Sequence, residues 1–349
     1  MAKSNASDQV LVVAGKDVRV THETVPIGDV RLDSDNPRIR FQLHQSGKAK
    51  PTQEDLQKLI KKQPAYDGLQ KAIRKSGGLH DPIIIRHDGT VIEGNSRVTV
   101  ISTLHMGAPS NPRWQRIPIV RLPKDVPAQS IAMLMASYHV AGKNKWLAFA
   151  KADQVYRLVH TFGCSVEQVA DETRTTKRDI EQTLEAYEYL IKEVMPKAGQ
   201  RKAGKPTDQK LLENKWSHAL EFVKNREMAP MRKDPVIRRT FARLLKNDQI
   251  KGAEVRELPR ILKNKKASTI LKTGGFKEAK AALKKADPTV ESLELRQIKR
   301  LTARIKSMKS SEWGPFKTDS KAQKILKEHA KALYDLMQLV GVRISARYG

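Results

Sequence analysis

The segment best suited to binding an anion is Gly94-Asn-Ser-Arg97, between a predicted strand at 90–93 and a predicted helix that begins near Val98. A glycine lets the backbone approach a ligand closely, and the free N–H groups at a helix start attract negative charge. Arg97 adds a fixed positive charge that suits phosphate. The segment therefore predicts a phosphate-binding turn. The alternative is a glycine that only serves the turn and an arginine that extends into solvent.

Glu93 directly precedes this turn and is the best single candidate for a general base or a water-positioning residue. Hydrolysis of nucleic acid by metal ions would need clustered Asp, Glu and His side chains. The nearby acidic and histidine residues are scattered instead, at His80, Asp81, His87 and Asp88. The chain has one cysteine, which excludes a disulfide framework and a cysteine-based zinc site. We predict no metal site from protein residues alone.

A second candidate site lies in two short helices after Gly163. Ser165 and Gln168 form a capping box that begins the first helix, and Thr176 can cap the second after a polar turn. Two short helices with this spacing indicate a helix-turn-helix, whose second helix enters the major groove of DNA by its N-terminus. The alternative is an ordinary helical hairpin with a charged outer face.

The candidate DNA-contacting residues are at the start of that second helix: Thr175, Thr176, Lys177, Arg178 and Gln182. Threonine and lysine suit phosphate contacts, whereas Arg178 and Gln182 can read the edges of guanine and adenine.

The composition favours a polyanionic partner. Among 349 residues, 66 Lys and Arg stand against 38 Asp and Glu, a formal charge of +28, and most of the excess follows Pro196. This excess of basic residues argues against a highly acidic protein of the kind that is solvated by its own negative charge. No apolar run approaches the roughly 20 residues that span a bilayer, so we expect no membrane association and a cytoplasmic location.

The elements that must position these sites follow from periodicity and turn residues. A strand from Thr24, helices at 52–62 and 66–76, a hairpin around Asp88-Gly89, a helix and a strand at 117–122 predict a small mixed α and β domain. The expected organisation is a flexible N-terminus (1–23), the mixed domain (24–126), a helical domain with the helix-turn-helix (127–195), a linker (196–206) and a basic helical region (207–349). Two amphipathic helices at 289–309 and 320–340 fit either a helical bundle or a DNA grip with a dimer contact.

Three stretches resemble the N-terminal domain of ParB partition proteins, whose fold is shared with sulfiredoxin: Asn36-Pro-Arg38, 69–86 and 91–101. In that family a box of the form Gly-Glu-Arg-Arg-x-Arg-Ala holds the triphosphate of CTP. Gly94 and Arg97 match the box, while Asn95, Ser96 and Thr99 replace a glutamate and two arginines.

The resemblance implies a nucleotide pocket, with CTP and Mg²⁺ as its ligands. The residues that it implies for this pocket are Asn36, Arg38, Gly94, Asn95, Ser96, Arg97, His139 and Lys143. The stretch 136–146 corresponds to a third box that supplies metal and phosphate contacts, but it holds no carboxylate. Mg²⁺ prefers oxygen ligands, so efficient CTP hydrolysis is not expected and a weak CTPase activity stays open.

The resemblance implies an α+β ParB/sulfiredoxin-like domain, followed by an all-α helix-turn-helix and a basic helical C-terminal region. It also implies a homodimer that binds specific double-stranded DNA sites in plasmid or chromosome partition, associated with the nucleoid or a plasmid, and a partition ATPase as a further partner. Two alternatives remain: a transcriptional regulator with a vestigial nucleotide pocket, and a ParB-like nuclease.

Overall fold

The computed structural model describes residues 7–45, 50–141, 147–196, 208–286 and 293–342. The chain divides into two compact units, Met1–Ala279 and Lys280–Gly349. The first unit combines a mixed sheet with helices, and beyond Arg121 all regular elements in the described residues are helical. The α+β prediction for the N-terminal part is therefore confirmed.

The sheet of the first unit has five strands in the order β1-β2-β5-β3-β4. The strands are β1 (Ser7–Val13), β2 (Lys16–Pro26), β3 (Ile83–Ile85), β4 (Val91–Glu93) and β5 (Arg116–Arg121). Strands β3 and β5 run parallel, and the other neighbours are antiparallel. β3 and β4 flank Gly89, whose φ of +86° suits the predicted Asp-Gly turn.

Residues 7–23 differ from the expectation of a flexible N-terminus, and the first strand does not begin at Thr24. β1 and β2 pair as a hairpin, and β2 continues along β5 from Thr21 to Pro26. The turn uses two left-handed residues, Ala14 and Gly15, at φ +49° and +74°. Val13 and Val20 are buried in a cluster with Ile131, Leu134 and Met135 of a later helix, so burial of apolar area fixes the hairpin.

Four helices pack with the sheet: α1 (Arg40–Gln45), α2 (Gln53–Lys61), α3 (Tyr66–Ser76) and α4 (Asn95–Gly107). The helices predicted at 52–62 and 66–76 agree with α2 and α3. Thr52 caps α2 reciprocally with Asp55, and Gly77 ends α3 in a left-handed conformation at φ +73°. The main core joins the buried residues of these helices to β3 and β5.

The following helices are α5 (Ala128–Ala136), α6 (Ala148–His160), α7 (Val166–Thr173), α8 (Lys177–Tyr189), α9 (Asp208–Lys224), α10 (Pro235–Lys246), α11 (Leu258–Lys263), α12 (Lys265–Thr273) and α13 (Phe276–Ala286). π-Helical segments follow α5 at Ser137–Ala141 and α8 at Leu190–Val194. Apart from Pro196, the predicted linker at 196–206 lies outside the described residues.

The compact first unit extends well past residue 207, where a separate region was expected to begin. Aromatic packing accounts for the difference. The Trp216 ring of α9 lies 6.4 Å from that of Phe149, and Phe222 stacks on Phe241 at 4.2 Å between ring centroids. Burying these large rings against α6 and α10 fixes α9 in the first unit.

The second unit contains α14 (Leu293–Ser307), α15 (Ser310–Trp313) and α16 (Ser320–Leu339). The first and last of these agree with the predicted helices at 289–309 and 320–340. Large apolar side chains on α14 and α16 are exposed, among them Leu301, Ile325 and Leu333. Among the helices in the described parts of the chain, none is both long enough and apolar enough to cross a lipid bilayer.

Candidate phosphate-binding cavity and nucleic-acid interface

A cavity of about 200 Å³ opens where the start of α4 meets the loop before α1. It brings together seven of the eight residues predicted for the nucleotide pocket, together with Glu93; the eighth, Lys143, lies outside the described residues. The cavity is lined by Asn36, Arg38, Ala65, Leu69, Ile92, Glu93, Gly94, Asn95, Ser96, Arg97, Met135 and His139. Ala65 and Leu69, which the sequence did not single out, come from the N-terminal end of α3.

Gly94 precedes α4 with a φ of +105°, which strongly favours glycine. A Cβ at this position would lie 2.5 Å from Cγ2 of Ile83 on the neighbouring strand. The glycine therefore allows close packing of β3 against the start of α4. Its requirement follows from the turn and this packing, and does not depend on a ligand.

Arg97 is held by protein acceptors. Its Nη1 donates to the carbonyl oxygens of Asp81 at 2.8 Å and Pro82 at 3.4 Å, and its Nη2 forms an ion pair with Glu93. Arg97 was predicted to contact phosphate, and Glu93 was predicted as a general base. In the structure these two side chains bind each other. Arg97 therefore extends neither freely into the cavity nor into solvent.

Arg38 is the other cation that lines the cavity. Its Nη1 donates to Oγ of Ser96 at 3.1 Å, and its backbone N–H donates to Oδ1 of Asn36 at 3.1 Å. Burial lowers the pKa of the guanidinium, and the charge of Glu93 opposes that shift. Burial thus removes part of the hydration of this charge, and an anion beside it would stabilise the charged form.

The start of α4 adds hydrogen-bond donors to the same place. Within the described residues no side chain caps the helix at Gly94, and its first turn carries no acidic residue. Asn95 is buried and accepts a hydrogen bond from the backbone N–H of Asp33 at 3.0 Å, which fixes the loop against the helix. Backbone donors at a helix start beside a half-buried arginine form an arrangement that suits phosphate oxygens.

The π-helical segment after α5 also contributes to the cavity wall. His139 is buried and lines the cavity. The neighbouring Tyr138, which the sequence did not single out, is 40% exposed. Burial raises the pKa of Tyr138, and the charge of Glu93 raises it further, which places this phenol near the Glu93–Arg97 pair.

The loop that carries Arg38 is also tied to the later helices. Arg40 forms an ion pair of 2.5 Å with Asp153 of α6, and the hydroxyl of Tyr187 on α8 donates to the same carboxylate at 2.6 Å. Asp35 pairs with Arg157 of α6 at 3.2 Å. The Asp153 side chain is only 3% exposed. A buried carboxylate thus connects the cavity loop to α8.

α7 and α8 are joined by residues 174–176, one residue shorter than the polar turn expected at 173–176 because Thr173 ends α7. Ser165 and Gln168 form the expected capping box at α7, and Thr176 caps α8 by accepting from the N–H of Asp179. Arg174 ends α7 in a left-handed conformation, with a φ of +54°.

The five predicted DNA-contacting residues are close together around the start of α8. Thr175, Thr176 and Arg178 are exposed and Gln182 is half-buried. Lys177 is exposed too, but it forms an ion pair with Glu167 of α7. Arg178 forms no ion pair with any residue in the described part of the chain.

Cations neutralise most of the carboxylates around this surface. Besides the Lys177–Glu167 pair, Asp179 lies 3.6 Å from Nζ of Lys224, and Arg232 donates to Glu185 at 2.9 and 3.2 Å. Glu181 is exposed on the same helix, so a duplex would have to approach from the N-terminal side of α8. Across the described residues there is no group of three or more His, Cys, Asp or Glu side chains that could hold a metal ion.

Comparison with solved structures finds ParB proteins. The chain is similar to the C-terminally truncated chromosome-partitioning protein ParB from Caulobacter crescentus complexed to the centromeric parS site, at 14% identity and a TM-score of 0.33, covering 68% of this chain and 98% of that one. It is also similar to a pNOB8-like ParB N-domain, at 12% identity and a TM-score of 0.35, covering 74% and 98%.

The Caulobacter crescentus protein complexed with CTP-γ-S gives 13% identity and a TM-score of 0.21, covering 68% of this chain and 98% of that one. No family model matches the chain, and no curated protein matches it.

Proposed function

We propose that this protein is a ParB-type site-specific DNA-binding protein that acts in plasmid or chromosome partition. The observation that carries the proposal is the start of α8, where Arg178 and two threonines are exposed while most nearby carboxylates are paired with cations. A helix start with this charge balance, on a helix packed against α7, suits insertion into the major groove as a helix-turn-helix. The formal charge of +28 supplies the long-range attraction for the phosphate backbone.

The cavity at Gly94 is the proposed nucleotide site. Its volume of about 200 Å³ is below the roughly 300–1,000 Å³ of typical ligand pockets, so it would hold phosphate groups and leave the base and sugar outside. Arg38, Ser96 and the N–H groups of α4 would hold those phosphates. The sequence resemblance to ParB makes CTP the nucleotide to test first.

Mg²⁺ fits this cavity poorly. Glu93 is the one carboxylate among the described lining residues, and Arg97 already binds it. Mg²⁺ usually takes one or two carboxylates besides phosphate oxygens and water. We therefore assign the cavity a binding role and no hydrolytic step.

The proposed protein acts as a homodimer through its C-terminal unit. Leu326, Leu333 and Val340 are seven residues apart along α16 and the residue after it, and all three are exposed. Apolar residues at a seven-residue repeat suit packing against a second helix of the same kind. A dimer would match the two-fold symmetry of a palindromic DNA site.

A transcriptional regulator with a vestigial nucleotide pocket is the second candidate. The Glu93–Arg97 pair favours it, because this pair occupies the arginine that matches the phosphate-binding box of the ParB family. Such a regulator would use α8 in the same way but would not respond to CTP.

Selection of bound duplexes from a random library tests the proposal directly. The full chain is expected to enrich one defined sequence, and Arg178→Ala is expected to flatten the preference at one or two positions, at about 1–3 kcal/mol for a lost base contact. Lys210→Ala, which removes an exposed charge on α9, serves as the matched control. If the wild-type chain enriches no sequence, site-specific binding is wrong.

Adding CTP to the same binding reaction separates the two candidates. A partition protein is expected to change its occupancy of the selected duplex when CTP is present, and Arg38→Gln is expected to remove the change. Occupancy that does not respond to CTP would favour the regulator.

A further inference from the structure

A second cavity, which we call the basic pocket, lies far from the Gly94 cavity in sequence. It opens between the π-helical segment Leu190–Val194 and α10, and it measures about 440 Å³. Four cations line it: Lys192, Arg239, Arg243 and Lys246. Concentration of four positive side chains around one concave surface raises the local potential for an anion.

Few acidic groups balance these charges. Glu193 also lines the basic pocket, but it pairs with Arg238 at 3.3 Å. Lys192 pairs with Glu188 through an exposed contact of 2.6 Å, a type of pair that contributes little. Arg239, Arg243 and Lys246 form no ion pair with any residue that the structure describes.

Arg243 is held in position by neutral acceptors. Its guanidinium donates to the carbonyl oxygen of Leu271 at 2.7 Å and to Oε1 of Gln249 at 3.2 Å, and the side chain is half-buried. These bonds fix the side chain without cancelling its charge. A cation ordered in this way loses little conformational entropy when an anion binds.

The framework beneath the basic pocket is closely packed. The ring of Tyr189 stacks on that of Phe241 at 5.7 Å between centroids, and its hydroxyl donates to the carbonyl oxygen of Arg238 at 2.9 Å. Tyr189 and Phe241 are buried, and so is Leu245, which lies on α10 with Phe241. The cations are therefore presented by backbone segments whose relative position is fixed by packing.

We propose that the basic pocket is a second phosphate-binding site, distinct from the cavity at Gly94. The two sources of phosphate that suit its size and charge are the backbone of a DNA duplex and a free polyphosphate such as that of a nucleotide. Arg178 and Lys192 are 14 residues apart, or about 20 Å along a helix. The pocket is thus separate from the base-reading surface at the start of α8.

The test uses the full chain with Arg239→Gln and Lys246→Gln combined. Both side chains are exposed and make no ion pair with the described residues, so the fold should be kept, which circular dichroism checks. Lys233→Gln combined with Lys272→Gln is the matched control, since it removes two exposed charges outside the pocket. All chains carry Arg38→Gln in the first arm, so that the Gly94 cavity does not contribute.

In the first arm, calorimetry measures tripolyphosphate binding. If the source is a free polyphosphate, the pocket variant is expected to bind at least tenfold more weakly than the control, with duplex binding unchanged.

In the second arm, duplex affinity is measured against salt concentration with Arg38 intact. If the source is the DNA backbone, the salt slope should become shallower by about 1.8, the effect of two lost phosphate contacts, in the pocket variant only. The proposal is overturned if the pocket and control variants agree in both arms. That result would leave the assignments of Arg178 and Arg38 untouched.

Discussion

Two arginines at the proposed nucleotide site have different surroundings. Arg97 is the arginine that resembles the phosphate-binding box of ParB proteins. It is nevertheless bound by Glu93 and by two carbonyl oxygens. Arg38 donates to the hydroxyl of Ser96, and burial lowers its pKa because part of its hydration is lost. Of the two, Arg38 has more to gain from a bound phosphate.

We therefore expect Arg38→Gln to weaken CTP binding more than Arg97→Gln does. A hydrogen bond to a charged group contributes about 1.5–3 kcal/mol, so the loss at Arg38 should be roughly tenfold to a hundredfold. Titration calorimetry on the full chain, with both glutamine variants, measures the comparison. Equal losses, or a larger loss at Arg97, would contradict the assignment.

Asp33, in the same loop, is expected to make the stability of the fold depend on pH. Burial raises the pKa of its carboxyl, while the hydrogen bond from the Asp35 N–H and the charges of Arg86 and Arg157 oppose the shift. Because the folded-state pKa is above the unfolded one, the carboxyl contributes stability that is fully present below its ordinary pKa of 3.8. This stabilisation is lost as the pH rises through the raised value.

Asp33→Asn should remove this dependence, since asparagine keeps the oxygen that accepts from Asp35 at 2.9 Å. The free energy of unfolding of the variant, relative to that of the wild type, is expected to increase as the pH rises from 4 to 7. Urea unfolding at several pH values checks it. A relative stability that falls over this range would show that Arg86 and Arg157 outweigh burial.

At the scale of elements, one buried carboxylate connects three segments of the first unit. Asp153 on α6 accepts from Arg40, two residues after Arg38 of the proposed nucleotide site, and from Tyr187 on α8. Burial raises the pKa of Tyr187, so this phenol stays a donor. The contact fixes the cavity loop relative to α8, the helix proposed to contact DNA, and so gives the two proposed sites a direct packed connection.

Asp153→Ala should lower the free energy of unfolding by about 3–5 kcal/mol, because it leaves Arg40 as an unpaired charge in a buried place. Asp35→Ala is the matched control. It breaks the other ion pair between this loop and α6, the pair of Asp35 with Arg157. Because the Asp35 side chain is 57% exposed, we expect the free energy of unfolding to fall by about 1 kcal/mol or less. Chemical unfolding measures the free energy of unfolding of both variants. Similar losses would mean that the buried ion pair of Asp153 stabilises the fold no more than the exposed pair of Asp35.

Local signals were enough to predict several of these elements, whereas distant contacts were not. Ser165 and Thr176 mark helix starts by their own side chains, and both cap as expected; Thr52 caps α2 in the same way. The β1–β2 hairpin was missed because its turn is Ala14-Gly15, where alanine adopts a left-handed conformation that the residue type does not suggest. The available signal was the apolar run 10–13 before this turn and the alternation of Val18 and Val20 with polar residues after it.

The candidate site shows the same limit. The residues around Gly94 are contiguous, so the sequence brings them together, and the Asn-Pro-Arg stretch entered only through the family resemblance. The Glu93–Arg97 pair joins residues four apart in the sequence, with Glu93 at the end of β4 and Arg97 in the first turn of α4. The basic pocket, by contrast, combines side chains about 50 residues apart in the chain, which no local pattern indicates.

For the whole molecule, the exposed apolar surface of the C-terminal unit is the feature to explain. We expect a homodimer in which α16 packs against its copy, so Leu326→Glu with Leu333→Glu should shift the chain to monomer. Gln338→Glu, an exposed position outside the seven-residue repeat, is the control. Sedimentation velocity on the full chain measures the shift; a double variant that stays dimeric would assign the dimer to another surface.

Mapping of the DNA that crosslinks to the protein in its native host tests whether the chain is a site-specific partition protein. We expect strong enrichment at one or a few sites that spreads over kilobases, and its loss in cells that carry Arg178→Ala. Sharp peaks at promoters without spreading would instead identify the regulator. No enrichment above background for the wild-type protein would contradict site-specific DNA binding through α8.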